Sequence, residues 1–345
     1  MKFFETYRPL YWLFSLLTAL CLLTACSSDP DPDPNPDGPD QPKPPVTKGV
    51  PLQLGSVAWE GTRAATANTS MLLFLTSLSD GAWEVQQGRV MSAGDDVWQS
   101  LLEVEKGTTY YLYGYMPADD ITKPTISAVN GDYSKGAKFT FSDLPAVTNE
   151  DICVLVGAKK TADGAATAGS FTYVAEEVNS VNLLFSHIYA ALDINIKVGD
   201  DYDKLRTIRL CAMQLVSNIE KASLTITLNN DGSKMTVSAP VTSGTGSTAD
   251  IIINNGEGMD LTTTAQDIAG FFAPGFPGTI TLVSTYDVYD KKGNLLRENC
   301  VAENKLPDLS GITTGQRKVL TLSVEPTYLY MLSEPDLDSP TVTLK

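Results

Sequence analysis

From Val50 to Val324, apolar positions recur mostly with a period of two, the spacing that lays one face of an extended strand against a core. Val50 to Trp59 opens the pattern with Val50, Leu52 and Leu54, then Val57 and Trp59, so the period slips once near Gly55–Ser56. Further strands are expected over Met71–Leu75, Thr109–Tyr115, Lys138–Phe141, Ile152–Val156, Ser170–Val174, Val181–Ile188, Leu192–Val198, Leu205–Leu210 and Ala222–Leu228. The last set covers Lys234–Val237, Ile251–Ile253, Gln266–Phe272, Thr279–Asp287, Leu295–Cys300 and Arg317–Val324. These runs are rich in β-branched and aromatic residues and are separated by turn formers such as Asn130-Gly131, Asp163-Gly164 and Asn230-Asp231-Gly232. Sustained apolar spacing of 3.6 is missing, so helices are expected to be few and short. The pattern predicts an all-β chain of sandwiches.

The start of the chain follows different rules. Lys2 and Arg8 precede an apolar stretch, Leu10 to Leu23, that ends in Leu23-Thr24-Ala25-Cys26. The stretch is short for a membrane span and has the plan of a secretory signal peptide, residues 1–25. Its ending resembles a bacterial lipobox, which implies cleavage before Cys26 and a lipid (diacylglyceryl, palmitate) on its thiol. Residues 26–48 then run through Pro-Asp repeats. Proline blocks helix and sheet and the aspartates repel one another, so an extended spacer is expected. An acidic run after a lipidated cysteine resembles the surface-export tethers of Bacteroidetes lipoproteins, which implies an outer-membrane lipoprotein precursor facing outward. The alternative is a spacer in the periplasm.

Beyond residue 48, about 300 residues remain, enough for two sandwiches. We expect them over residues 49–187 and 188–345, with a boundary near 180–192 that no Pro/Gly linker marks. The net charge of −16 owes only −3 to the tether, which has five aspartates against Lys43 and Lys48; the rest of the chain is acidic too, and no basic patch supports nucleic-acid binding. Cys153, Cys211 and Cys300 are too far apart in sequence for a zinc-ligand set or a disulfide framework, although a Cys211–Cys300 bridge is open in an oxidising compartment. Cys153 lies in an apolar run and reads as a buried small hydrophobe. His187 is the only histidine. It sits beside Ser186 on a strand, where neighbours point to opposite faces, so the two cannot act as nucleophile and base; a place at a sheet or domain interface fits better. Asp119-Asp120 and Asp336/Asp338 lack the spacing of a calcium loop. Gly244-Thr245-Gly246 lacks the strand–loop–helix context of a phosphate loop. Trp83 and Trp98 are expected in the core rather than on a sugar-stacking surface. No catalytic residue, metal ligand or cofactor site is expected.

The ordered combination of features resembles the fimbrillin family of Bacteroidetes, the subunits of type V fimbriae. It consists of the lipobox and acidic tether, Val50–Trp59 followed by Glu60-Gly61-Thr62-Arg63-Ala64, and the aromatic strand Tyr110-Tyr111-Leu112-Tyr113-Gly114-Tyr115-Met116-Pro117. Leu183 to Ile196 and the ending Gly315 to Val324 complete it. The resemblance spans essentially the whole chain. It implies two tandem transthyretin-like Greek-key sandwiches, lipoprotein export, proteolytic removal of the first strand (residues 49–63) after an arginine, and polymerisation by strand exchange with other subunits. Arg63–Ala64 lies among small polar residues suited to cleavage, with Lys48 as a competing basic site.

The donor-strand candidate is the tail, residues 326–345. Tyr328, Tyr330 and Leu332 alternate with Leu329 and Met331; after a polar, proline-containing break, Val342 and Leu344 resume a strand-like pattern. The alternative is that these strands pack on their own domain. The reading is therefore a stalk or tip subunit of a surface fimbria that supports adhesion, since an anchor would keep its lipid and need no cut. A surface glycan-binding lipoprotein of a nutrient-uptake system is the competing reading, and an exposed aromatic platform would mark it.

Overall fold

The computed structural model describes residues 49–61, 70–92, 98–118, 123–306 and 308–324. Cys26, Arg63, Ala64, Asp119, Asp120 and the tail with Tyr328 to Leu332, Val342 and Leu344 lie outside the described residues, as do the signal and tether.

In chain order the longer strands are β1 (Gln53–Trp59), β2 (Ser70–Ser79), β3 (Ala82–Ser92), β4 (Thr109–Met116), β5 (Asp132–Pro145), β6 (Cys153–Lys160), β7 (Ser180–His187) and β8 (Ala190–Val198). They continue as β9 (Thr207–Ser217), β10 (Lys221–Asn229), β11 (Ser247–Ile252), β12 (Gln266–Ala273), β13 (Ile280–Tyr289), β14 (Leu295–Lys305) and β15 (Arg317–Val324). Among the described residues the one α-helix is Asp200–Asp203. The all-β expectation is met.

The first sheet has the order β1–β7–β6–β4–β2–β3, with Trp98–Gln99 beyond β3. β1 pairs with β7 in parallel, while β7 with β6, β6 with β4, and β4 with β2 are antiparallel. The sheet curls far enough for β1 to approach Trp98–Gln99. Both faces are covered at the centre of the sheet. On β6, Cys153 and Leu155 enter one core with Leu73, Leu112, Leu183 and Phe185, whereas Val154 and Val156 enter another. Burial on both sides is why Ile152–Val156 is apolar without alternation. The second core is aromatic: Phe74, Tyr113 and Tyr115 meet Phe139 and Phe141 of β5, which belongs to a second sheet with β10 and Thr125–Val129. Tyr113 donates to the Tyr133 carbonyl at 2.6 Å, which satisfies its buried hydroxyl.

The later strands form the sheets β12–β8–β15 and β11–β9–β13–β14. Leu192, Ile194 and Ile196 of β8 alternate into the core between them, against Met213, Leu215, Phe271 and Leu282. β10 follows β9 in the chain yet pairs antiparallel with β5. A strand from beyond residue 188 thus completes a sheet begun before residue 187.

β3 is a strand that the apolar pattern does not reveal. Most of its residues are exposed, so selection for a core leaves little trace. Its signal is the turn: Asp80 and Gly81 both have positive φ, 49° and 81°, the two-residue geometry that matches strand twist.

Candidate functional site

The candidate site is the seat of β1 on β7. β1 is the first of the longer strands and stands at the end of its sheet's order. It is preceded by Val50–Pro51, which pairs with Glu103–Val104, and by Leu52, which is 1% exposed and bonded through its N–H to the Leu102 carbonyl at 2.8 Å. Leu54, Val57 and Trp59 then pack against the core of the first sheet. The slip read at Gly55–Ser56 is real. Val181 faces Leu54 and Leu183 faces Val57, with a register shift between them.

Two asparagines build this seat. Buried Asn179 accepts the Gln53 N–H on its carbonyl at 2.8 Å. Its side chain is fixed by Tyr173 Oη at 2.5 Å and by the Glu176 N–H at 2.7 Å, both donating to Oδ1. Asn182 Oδ1 accepts the Ser56 N–H at 2.9 Å, while its Nδ2 donates to the Gly164 carbonyl at 2.9 Å. Gly55 is required at the slip, because a Cβ there would lie 2.4 Å from both Asn182 Oδ1 and Thr161 Oγ1. At the far end the Glu60 N–H donates to the Phe185 carbonyl at 2.7 Å, and Trp59 packs on Phe185 and His187.

His187 is 2% exposed. Its Nδ1 lies 2.5 Å from Asp151 Oδ2 and 3.3 Å from Cys153 Sγ. Cys153 and His187 are direct cross-strand partners, and Asp151 precedes Cys153 by two residues. The sequence reading treated Cys153 and His187 separately and missed Asp151; the signal is visible only once β6 and β7 are paired. Thiol and carboxylate both approach the same ring nitrogen, so the group is not a relay in which one nitrogen meets a nucleophile and the other an orienting acid. Cys153, Cys211 and Cys300 are free thiols.

Trp83 packs edge-on to Tyr111 and Tyr133, and Trp98 packs against the first core. Among the described residues, none of the exposed large hydrophobics is aromatic. Gly244 and Gly246 sit at positive φ in the loop before β11, with no helix following.

At the other end of the described chain, β15 lies parallel to β8, and Arg317 pairs with Asp193. A groove of about 370 Å³ opens between the later sheets, lined by Ile196, Tyr202, Leu210, Tyr286, Leu322 and Val324. The described chain ends at Val324 on this groove.

No protein-family model matches the chain, and no curated protein matches it. Solved structures similar to it are Bacteroides fimbrial and cell-adhesion-assigned proteins. One is a fimbrial protein from Bacteroides vulgatus, at 15% identity and a TM-score of 0.40, covering 79% of this chain and 95% of that one. A second is a protein provisionally assigned to cell adhesion in Bacteroides fragilis, at 12% identity and a TM-score of 0.44, covering 81% and 94%. A third, a fimbrial protein from Bacteroides ovatus, has 9% identity, a TM-score of 0.31 and coverage of 80% and 50%.

Proposed function

We propose that this chain is a structural subunit, stalk or tip, of a cell-surface fimbria. It is exported as a lipoprotein on Cys26, cut between Arg63 and Ala64, and polymerised with other subunits by exchange of the first strand. The observation that carries this reading is the placement of β1. It is an N-terminal edge strand in parallel pairing, and its Leu54, Val57 and Trp59 stand beside Val181, Leu183 and Phe185, which are fully buried, against the same core. The chain after it passes through exposed Gly61 into the segment that holds Arg63. A cut there disconnects β1 from everything that follows, leaving it held only by non-covalent contacts.

Loss of β1 would unpair the backbone of β7 and open an apolar trough, both costly in water. A strand from a second subunit would restore both terms by β-augmentation. The donor in this reading is the tail, through Tyr328, Leu329, Tyr330, Met331 and Leu332, with Val342 and Leu344 beyond. The reading assigns no catalytic residue and no cofactor.

The test is digestion of the folded precursor with an arginine-specific protease, followed by N-terminal sequencing and SDS gels without boiling. The expected result is a new terminus at Ala64, release of residues 49–63, and a ladder that disappears when residues 326–345 are deleted. A folded precursor that resists cleavage, or a cut product that keeps the β1 peptide bound and stays monomeric with its tail intact, overturns the reading.

A further inference from the structure

We propose that Asp151, Cys153 and His187 form a binding site for one zinc ion. Their donor atoms, a carboxylate oxygen, a sulfur and an imidazole nitrogen, all lie within 4.8 Å of one another, and all three residues are buried. The backbone brings them together. Cys153 and His187 are paired across β6 and β7, so their side chains stand on one face, and Asp151, in the segment leading into β6, reaches the same His187 ring with its carboxylate. Strand pairing positions two of the three groups, Cys153 and His187, while Asp151 stands two residues before the start of β6.

The donor set selects the metal. A thiolate with an imidazole and a carboxylate suits Zn²⁺, whereas Ca²⁺ and Mg²⁺ take oxygen ligands throughout. Geometry points the same way. Asp151 Oδ2 and Cys153 Sγ converge on a single nitrogen, His187 Nδ1, at 2.5 and 3.3 Å. A cation placed between the three would be held by all of them at once. Two anionic donors and a neutral imidazole also balance a dication, which removes the burial cost of net charge. On binding, the Cys153 thiol loses its proton to solvent as the Zn–S bond forms.

Ligands on a tetrahedral zinc ion sit roughly 3.3–3.7 Å apart, given bonds of about 2.0–2.3 Å. The Nδ1–Sγ separation already matches. The Asp151 carboxylate has to move back from the ring by about 1 Å, a distance within reach of its χ rotations. Trp59 stacks over the His187 ring, so the ion enters while the chain folds or when β1 is displaced.

The test is refolding of the full chain under reducing conditions with Co²⁺, a spectroscopic stand-in, followed by displacement with Zn²⁺. One Co²⁺ per chain with a thiolate-to-cobalt charge-transfer band is expected, and stoichiometric Zn²⁺ should abolish that band. Cys153→Ser should remove the band, and Asp151→Asn and His187→Gln should each weaken binding at least tenfold, whereas Cys211→Ser should leave it unchanged. Wild-type chain that binds no stoichiometric metal on refolding, or that binds Co²⁺ without the thiolate band, overturns the proposal whatever the variants do. A band that persists in folded Cys153→Ser does the same.

Discussion

Trp59 of β1 stacks on His187 of β7, with ring centroids 5.7 Å apart and planes inclined by 21°. The same indole meets Phe185 at 5.9 Å, so one side chain near the C-terminal end of β1 covers two residues of its partner strand. Trp59→Ala should therefore loosen the strand at the end nearest Arg63. Trp59 is half-buried, so the expected loss is about 1–3 kcal/mol, below that of a fully buried aromatic. Urea unfolding checks the magnitude. Faster cleavage at Arg63 under limiting protease checks the location, and an unchanged cleavage rate would count against Trp59 as the clasp of β1.

Gly55 tests the register slip directly. A Cβ at this position meets Asn182 Oδ1 and Thr161 Oγ1 at 2.4 Å. Asn182 cannot simply swing away, because it holds the Ser56 N–H and the Gly164 carbonyl together. Gly55→Ala should cost about 1–3 kcal/mol through overpacking and a broken, partly buried hydrogen bond. Gly61→Ala, at positive φ but with open space around it, provides a comparison dominated by local backbone strain. Thermal melts of both variants, with proteolysis of β1 as a second readout, separate a packing effect at the seat from a general loss of stability.

Much of this seat was legible before the fold was known, because a broken period in Val50–Trp59 records a physical event, the extra residue of β1 between Leu54 and Val57 opposite Val181 and Leu183. The strands at Ile152–Val156 and Leu192–Val198 were legible for the same reason: burial forces apolar side chains into a spacing. β3 was not, since Glu84, Gln86 and Gln87 face water and obey no such constraint. Nor could sequence place β10 beside β5, because pairing between distant segments is set by register and shape that no local window contains. The Asp151, Cys153 and His187 group was hidden in the same way. Each residue has an ordinary local context, and the cross-strand pairing alone brings them together.

Asn179 links the interior to the seat. Its side-chain oxygen receives Tyr173 Oη and its backbone carbonyl receives Gln53, so the orientation of one fixes the other. Asn179→Ala should leave the Tyr173 hydroxyl and the Glu176 N–H without this acceptor, at a cost of about 1–3 kcal/mol. Tyr173→Phe in the same background should recover part of the loss, because the second change removes the stranded hydroxyl. A double-mutant cycle by urea unfolding measures the coupling. Additive effects would show that the Tyr173–Asn179 bond does not organise the seat.

The same hydroxyl sets an alkaline limit. Burial, and then the charge of Glu176, pushes the Tyr173 phenol up from 10.0 to about 12, and burial also raises Tyr113. Below about pH 10 the phenols are protonated in both folded and unfolded chains, so they add no pH dependence there. Between pH 10 and 12 the unfolded chain sheds the Tyr173 proton while the folded chain retains it. The unfolded state then binds fewer protons, and stability falls as pH rises. Urea midpoints should hold steady up to about pH 10 and decline above it. Tyr173→Phe should make the decline shallower, because the variant has no proton to lose at that position, and the buried Tyr113 carries part of what remains. Phenolate absorbance followed during the same titration should show delayed ionisation in the folded chain and none of that delay in urea. A midpoint that stays level to pH 12 would mean that the folded protein ionises Tyr173 as readily as the unfolded chain.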